Sequence, residues 1–305
     1  MNIVFFGTPN FAVPFLQLLN ETPDINVQTV ITQPDKPVGR KKTLTPPPVK
    51  TFAIQKEIPV LQPPTLKNNN ELKNILIKLK PDFFVVIAYG KMLPEDFLDI
   101  PTYGAINVHA SILPHYRGAS PVQSAILNDE KFSGISIMHL TQEMDAGDIY
   151  YVRKVPIDKA DTTDKLKAKL SGIGSIVLPM CLQDIKEGVL SPIPQNEKNV
   201  TYCKKITKED ARIQPEKETA TEIYNKFKAF YAWPGIFMNL NNKRLKILEL
   251  KPAKDAPKVI PAELKAKKNK LFLGTKKNAI EITKLQFEGK KPMRAEDFIN
   301  GFLKS

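Results

Sequence analysis

All three histidines of this 305-residue chain, His109, His115 and His139, fall within residues 107–148, NVHASILPHYRGASPVQSAILNDEKFSGISIMHLTQEMDAGD. In GAINVHAS, residues 104–111, apolar Ile106 and Val108 alternate with Asn107 and His109, a period-two pattern that predicts a short strand ending at Ser111. Asn107 and His109 then share one face at the carboxyl end of the strand, where open α/β sheets place ligands. GISIMHL predicts a second strand, and the polar turn after it, TQEMDAGD, brings three acids, Glu143, Asp145 and Asp148, any of which could fold back towards His109. A histidine oriented by a carboxylate, beside an amide that donates to an oxygen gaining negative charge, suits acyl transfer. The alternative is a hydrogen-bonded structural pair. His115 and His139 are read as non-catalytic, the latter as a structural strand residue.

Several elements must position that stretch. Residues 83–88, FFVVIA, are continuously apolar and β-prone, as in a central parallel strand buried on both faces. MNIVFF, a Gly7-Thr8-Pro9 turn and a helix-like PNFAVPFLQLLN open the chain, yet Gly-x-Gly-x-x-Gly is missing and no dinucleotide site is assigned. Further strands are expected at 27–31, 59–61 and 148–157, and helices at 47–58, 68–80, from Ser120-Pro121, and from 161 towards Gly188. Between them lies a proline-rich loop, 32–50, carrying Arg40, Lys41 and Lys42. Ser191-Pro192-Ile193-Pro194-Gln195-Asn196-Glu197 has linker composition. Beyond it, a helix at 219–231 and β-prone runs separated by Gly- and Lys-rich turns predict a small closed barrel, with Trp233 as a packing anchor. The expected organisation is therefore a catalytic domain over 1–189, a linker over 190–205 and a barrel over 206–305.

Composition narrows the classes. The longest apolar run falls far short of the roughly 18 residues of a membrane span, and the amino terminus reads as a strand, not a secretion signal. Two cysteines, Cys181 and Cys203, make neither a disulfide framework nor a metal quartet, which suits the reducing cytoplasm. No metal is expected. The net charge of +13 is uneven: residues 1–200 hold 21 basic and 20 acidic side chains, residues 201–305 hold 24 and 12. A basic last third points to a polyanion, with nucleic acid first, against the alternative of lysine-rich solubilisation.

NVHASILPHYRGASPVQSAI followed by MDAGD resembles the 10-formyltetrahydrofolate-dependent formyltransferases, whose pattern is Asn-x-His-x-Ser-Leu-Leu-Pro, Tyr-Arg-Gly and Met-Asp-x-Gly-Asp; FFGTPNFAVP resembles the opening of those that act on initiator tRNA. The resemblance implies a Rossmann-like, mostly parallel α/β catalytic domain and an OB-like β-barrel. It implies Asn107, His109 and Asp145 as the catalytic trio and 10-formyltetrahydrofolate as formyl donor. It places the folate against Ser111, Ile112, Leu113 and Pro114 and against Ala88, Tyr89 and Gly90. Initiator methionyl-tRNA is the implied acceptor, met by Arg40, Lys41 and Lys42 in the loop and by Lys204, Lys205, Lys243, Arg244, Lys265, Lys267, Lys268 and Lys270. Arg117 is left between a ligand anion and a structural ion pair. The sequence departs from the family at Ile112, for Leu, and at Lys228 and Ala232 in KAFYAWP, for Arg and Pro. A monomer is expected. Rival readings are a formyltransferase for a small amine and a nucleic-acid-binding protein with an inactive folate-like domain.

Overall fold

The computed structural model describes every residue except Arg40, Lys254, Lys304 and Ser305. The chain forms two compact units: one of Met1–Pro121, Phe132–Pro156 and Lys167–Cys203, the other of Val122–Lys131, Ile157–Leu166 and Lys204–Ser305.

The first unit contains β1 (Asn2–Gly7), α1 (Val13–Glu21), β2 (Asn26–Ile31), β3 (Lys36–Val38), β4 (Thr43–Thr45), α2 (Pro48–Gln55), β5 (Val60–Leu61), α3 (Asn70–Leu79), β6 (Phe83–Ile87), α4 (Glu95–Leu98), β7 (Ala105–His109) and β8 (Arg117–Gly118). After α5 (Pro121–Leu127) come β9 (Phe132–His139), β10 (Ile149–Pro156), α6 (Thr163–Lys186) and β11 (Tyr202–Cys203). Seven strands form one sheet in the order β10-β9-β7-β6-β1-β2-β5. It is parallel from β5 through β7; only β9 and β10 run antiparallel to their neighbours.

Local chemistry explains these elements. Every residue of β6 is buried, and burying such a side chain contributes roughly 1.5–3 kcal/mol. The Asn69 side chain caps α3 by accepting from the Leu72 N–H, and Leu72 and Leu76, one turn apart, face the core. The chain enters β1 with β2 on one side and β6 on the other, so the strand order reverses there. A sheet of this kind opens its crevice at the carboxyl ends beside that reversal. Residues 88–90 and the end of β7 sit there, one and two strands away.

Two expectations change in this unit. β7 ends at His109, two residues early, because Ser111 Oγ donates to the His115 carbonyl at 2.6 Å and closes a turn. The proline-rich stretch 32–50 is not loop throughout: β3 and β4 make a small hairpin, in which Pro37, opposite Leu44, can lack its N–H because the pair has no third strand.

The second unit contains α7 (Ala220–Ala229), β12 (Phe237–Leu240), β13 (Lys243–Pro252), β14 (Leu264–Lys267), β15 (Lys270–Gly274), β16 (Ala279–Phe287), β17 (Met293–Arg294) and α8 (Ala295–Phe298). Its antiparallel sheet runs β12-β13-β16-β15-β14, with β17 on β16. Thr219 and Glu222 form a reciprocal capping box that starts α7. Trp233 is not the packing anchor expected. Its side chain is 54% exposed, while Phe230 takes the core position and the Gly235 N–H donates to the Phe230 carbonyl to turn the chain outward.

Candidate active site

The strand-end alternation sets two polar side chains beside one acid. Asp145 Oδ1 lies 3.4 Å from His109 Nδ1 and 3.5 Å from Asn107 Nδ2, and Asp145 Oδ2 accepts from the Gly118 N–H at 2.8 Å. On the far side of the ring, His109 Nε2 meets the Tyr116 carbonyl at 3.0 Å. A carbonyl only accepts, so Nε2 carries a proton. A proton on Nδ1 as well then faces the Asp145 carboxylate, and the imidazolium form satisfies both acceptors. His109 is 7% exposed, which strengthens these charges by excluding water. The Asn107 contact is at the limit of a hydrogen bond, so its amide can turn to another acceptor at little cost.

Asp145 does not hold itself in place. Its φ of +53° is in the left-handed region, and its backbone is fastened by Gln195, whose Nε2 donates to the carbonyls of Asp145 at 2.8 Å and Gly147 at 2.7 Å. Arg117 then fixes Gln195: Nε and Nη2 reach Gln195 Oε1 at 3.1 and 2.9 Å, while Nη2 pairs with Glu197 at 2.8 Å. Arg117 is fully buried, and β8, which carries it, pairs with β11. Its structural reading, rather than the ligand-anion one, is the arrangement present. Gly118 has φ +119°, and a Cβ there would lie 2.3 Å from the Cys203 carbonyl oxygen; at Gly147 it would lie 1.8 Å from that of His139. Both positions need glycine for the chain to pass so close.

Gln195, Glu197 and the Gly118 N–H were not singled out from sequence. They lie in or against the stretch with linker composition, which the structure corrects: residues up to Cys203 are bound to the first unit by the β8–β11 pair, by paired backbone bonds between Ile149 and Ile193, and by Gln195 itself. The signal that could have found Gln195 is its setting just after Pro192 and Pro194, which fix an extended backbone able to run beside another chain segment.

The remaining predicted residues separate into groups. Ser111 and Leu113 are buried in the framework, where Leu113 N–H donates to Ser136 Oγ and Ser136 Oγ donates to the Ser111 carbonyl; Ile112 and Pro114 are part-exposed. Ala88 and Gly90 are exposed with positive φ. Tyr89 turns inward against Phe6, with ring centroids 5.5 Å apart, and burial pushes its phenol up to about 12. What Tyr89 offers at the strand end is backbone, and its carbonyl already accepts from Thr8 and Gln33. Cys181 is buried and its thiol is pushed up to about 12 by that burial, which makes it unreactive. Among the described residues no group of three or more His, Cys, Asp or Glu side chains is placed to hold a metal ion.

Of the basic residues, Arg40 lies outside the described residues, and Lys41 and Lys42 are exposed after the β3 strand. Lys204 is paired with Asp210, whose carboxyl is lowered to about 2 chiefly by that bond and by Thr207. Lys205 is exposed. Lys243 and Arg244 begin β13, with the Arg244 guanidinium 4.0 Å over the Phe237 ring. Lys267, Lys268 and Lys270 gather with Lys251 at the other end of β13, around a cavity of about 440 Å³. Lys265 pairs in register with Phe272, two residues along β14 from that cluster.

Comparison with known proteins gives the family. Residues 1–182 match the formyl transferase family and residues 205–303 the formyl transferase C-terminal domain family. The chain is 43% identical to a methionyl-tRNA formyltransferase of Caldicellulosiruptor saccharolyticus over 311 residues, covering 99% of this chain and 97% of the relative. Its fold is similar to that of a methionyl-tRNA formyltransferase from Clostridium thermocellum, with TM-score 0.60, 16% identity, and coverage of 84% of this chain and 95% of the other. An N-formyltransferase from Helicobacter canadensis, solved with folinic acid and dTDP-3-aminofucose, gives TM-score 0.66, 21% identity, and coverage of 92% and 98%. With both domain families present in order and an alignment that spans almost the whole of both chains, the protein belongs to the methionyl-tRNA formyltransferase family.

Proposed function

We propose that the protein transfers the formyl group of 10-formyltetrahydrofolate to the α-amine of methionine esterified to initiator tRNA. The observation that carries this reading is the shared Asp145 Oδ1, which faces both Asn107 and His109 at a strand end while Gly118 holds the other oxygen. The residues fit a flat heterocycle that bonds to backbone: Ala88 and Gly90 leave the strand end exposed, and Ile112 and Pro114 offer part-exposed apolar surface. When bound, 10-formyltetrahydrofolate supplies the carbonyl carbon that the amine attacks and the nitrogen that departs.

The chain's own residues do the rest. Asn107 donates from Nδ2 to the formyl oxygen as it gains charge, and protonated His109 adds a second positive field. Asp145 faces His109 Nδ1 and keeps the ring oriented. The neutral methionyl amine attacks the formyl carbon, and as the C–N10 bond breaks the proton shed by the amine nitrogen is carried through water to N10, so that no net proton is taken up or lost. Folate contact is assigned to Ala88, Tyr89, Gly90 and residues 111–114. The tRNA is assigned to the loop with Arg40, Lys41 and Lys42 and to Lys204, Lys205, Lys243, Arg244, Lys267 and Lys268, which grip phosphates without reading sequence.

The division of labour assigns catalysis to residues 1–189 with the strap up to Cys203, and tRNA contact to residues 206–305. A monomer working in the cytoplasm is inferred; two buried free thiols support the compartment, and among the described residues no helix is long and apolar enough to cross a membrane. The deciding assay follows labelled formyl transfer to methionyl initiator tRNA beside glycinamide ribonucleotide. Transfer to the tRNA alone is expected, and transfer to the small amine alone would overturn the assignment.

A further inference from the structure

The second unit holds a cavity of about 1010 Å³, walled by that unit's own segments and sharing no residue with the formyl-transfer site. One face of α7 lines it: Thr221, Tyr224, Asn225 and Lys228, at positions i, i+3, i+4 and i+7. Helices turn such a face inward when it is apolar. Here it is polar, yet Asn225 is 4% exposed and Lys228 6%. Buried polar groups are normally hydrogen-bonded. Neither of these side chains makes a hydrogen bond or a salt bridge to a described residue. Among the described residues the Lys228 ammonium has the Tyr224 ring, 5.1 Å from its centroid, and the fields of Asp129 and Asp161. Burial draws its pKa down despite those acids, as for a cation short of a counter-ion.

The rest of the wall has two characters. Lys159, Lys258 and Lys276 stand exposed at the rim, so four lysines face one lining acid, Asp129. The lining also includes apolar surface from Pro252, Pro257 and Pro261. Cations, an amide and apolar proline and tyrosine surface lining one cavity match a ligand with an anionic end and an apolar planar body. The volume is at the upper end of the usual range for small-molecule sites.

We propose that this cavity binds a free nucleoside phosphate, its phosphate held by Lys228 and the rim lysines and its base between Tyr224 and the proline wall. None of its lining residues is among those named above for folate or for tRNA.

Calorimetric titration of the full-length protein with ADP, adenosine and inorganic phosphate tests it. ADP is expected to bind at one site, with adenosine and phosphate each about tenfold weaker or worse. Lys228→Met, which keeps side-chain length, should weaken ADP by about tenfold or more, the loss of a charge-assisted bond. Lys276→Ala, at an exposed rim position, should weaken it by about threefold, and it decides the matter if Lys228→Met does not fold. The proposal is overturned if ADP at millimolar concentration gives no binding heat, or if both folded variants bind it like the unaltered protein. Stoichiometric displacement of ADP by tRNA would also overturn it, by assigning the cavity to the tRNA path.

Discussion

The two units use charge in opposite ways. Around Asp145, every polar group has a partner at a defined distance, and the central histidine and the supporting Arg117 are buried. Along the second unit's sheet, the cations stand on flexible stems at both ends of β13, mostly exposed, and their worth lies in number. Displacing one atom should ruin the first arrangement, whereas removing one lysine should only weaken the second.

The largest expected effect is at the strand end. His109→Ala should lower kcat by roughly 10²–10⁴ and Asn107→Ala by roughly 10²–10³, with tRNA affinity nearly unchanged in a filter-binding assay. Near-normal turnover in either variant would remove the contrast between the units. Next comes Gln195→Ala, which frees two carbonyls and strips Arg117 of an acceptor. It should cost about 1–3 kcal/mol in urea unfolding and about tenfold in kcat, leaving KM for tRNA unmoved; a purely structural role would cost stability and spare kcat. Replacing Lys267 and Lys268 together by Ala should flatten the salt dependence of tRNA binding, by roughly 0.7–0.9 in log–log slope for each phosphate no longer neutralised, and leave kcat alone. An unchanged slope would take these lysines out of the interface.

The smallest effect is at Tyr89, whose hydroxyl is buried without a hydrogen-bond partner among the described residues. Tyr89→Phe should be neutral or stabilising by up to about 1 kcal/mol. Because its phenol is raised to about 12 in the fold, the unfolded chain loses that proton first as pH rises past its ordinary value near 10. The unaltered protein should therefore lose stability between about pH 10 and 12. Denaturation curves for Tyr89→Phe across that window should fall less steeply, and parallel curves would refute the assignment.

Much of the first unit was legible because its signals are local. The apolar run of β6 and the alternation around Asn107 depend on side chains a few residues apart, and period alone places them. The choice of Asp145 over Glu143 and Asp148 was not legible from spacing; it needed the resemblance, because a left-handed residue in a turn is fixed by partners 27 to 50 residues away. Gln195 was hard to see for the same reason, its flanking prolines fixing an extended backbone without naming the segment it runs beside. Prolines and polar residues look alike whether a segment hangs in solvent or lies pinned along a neighbour. In the second unit, charge counting pointed to the basic last third, but the packing anchor expected at Trp233 is exposed and Lys228 is buried instead.

The strap formed by residues 190–203 has a practical meaning for anyone dissecting the molecule. A cut where composition changes, before Ser191, would discard Gln195, Glu197 and β11, and with them the scaffolding that steadies the acid far upstream. The first unit's last segment ends at Cys203, at the far edge of what looks like spacer, and not before Ser191. A fragment trimmed before Ser191 would lose the supports of Asp145 together with the second unit, and its loss of activity could not be credited to the second unit alone.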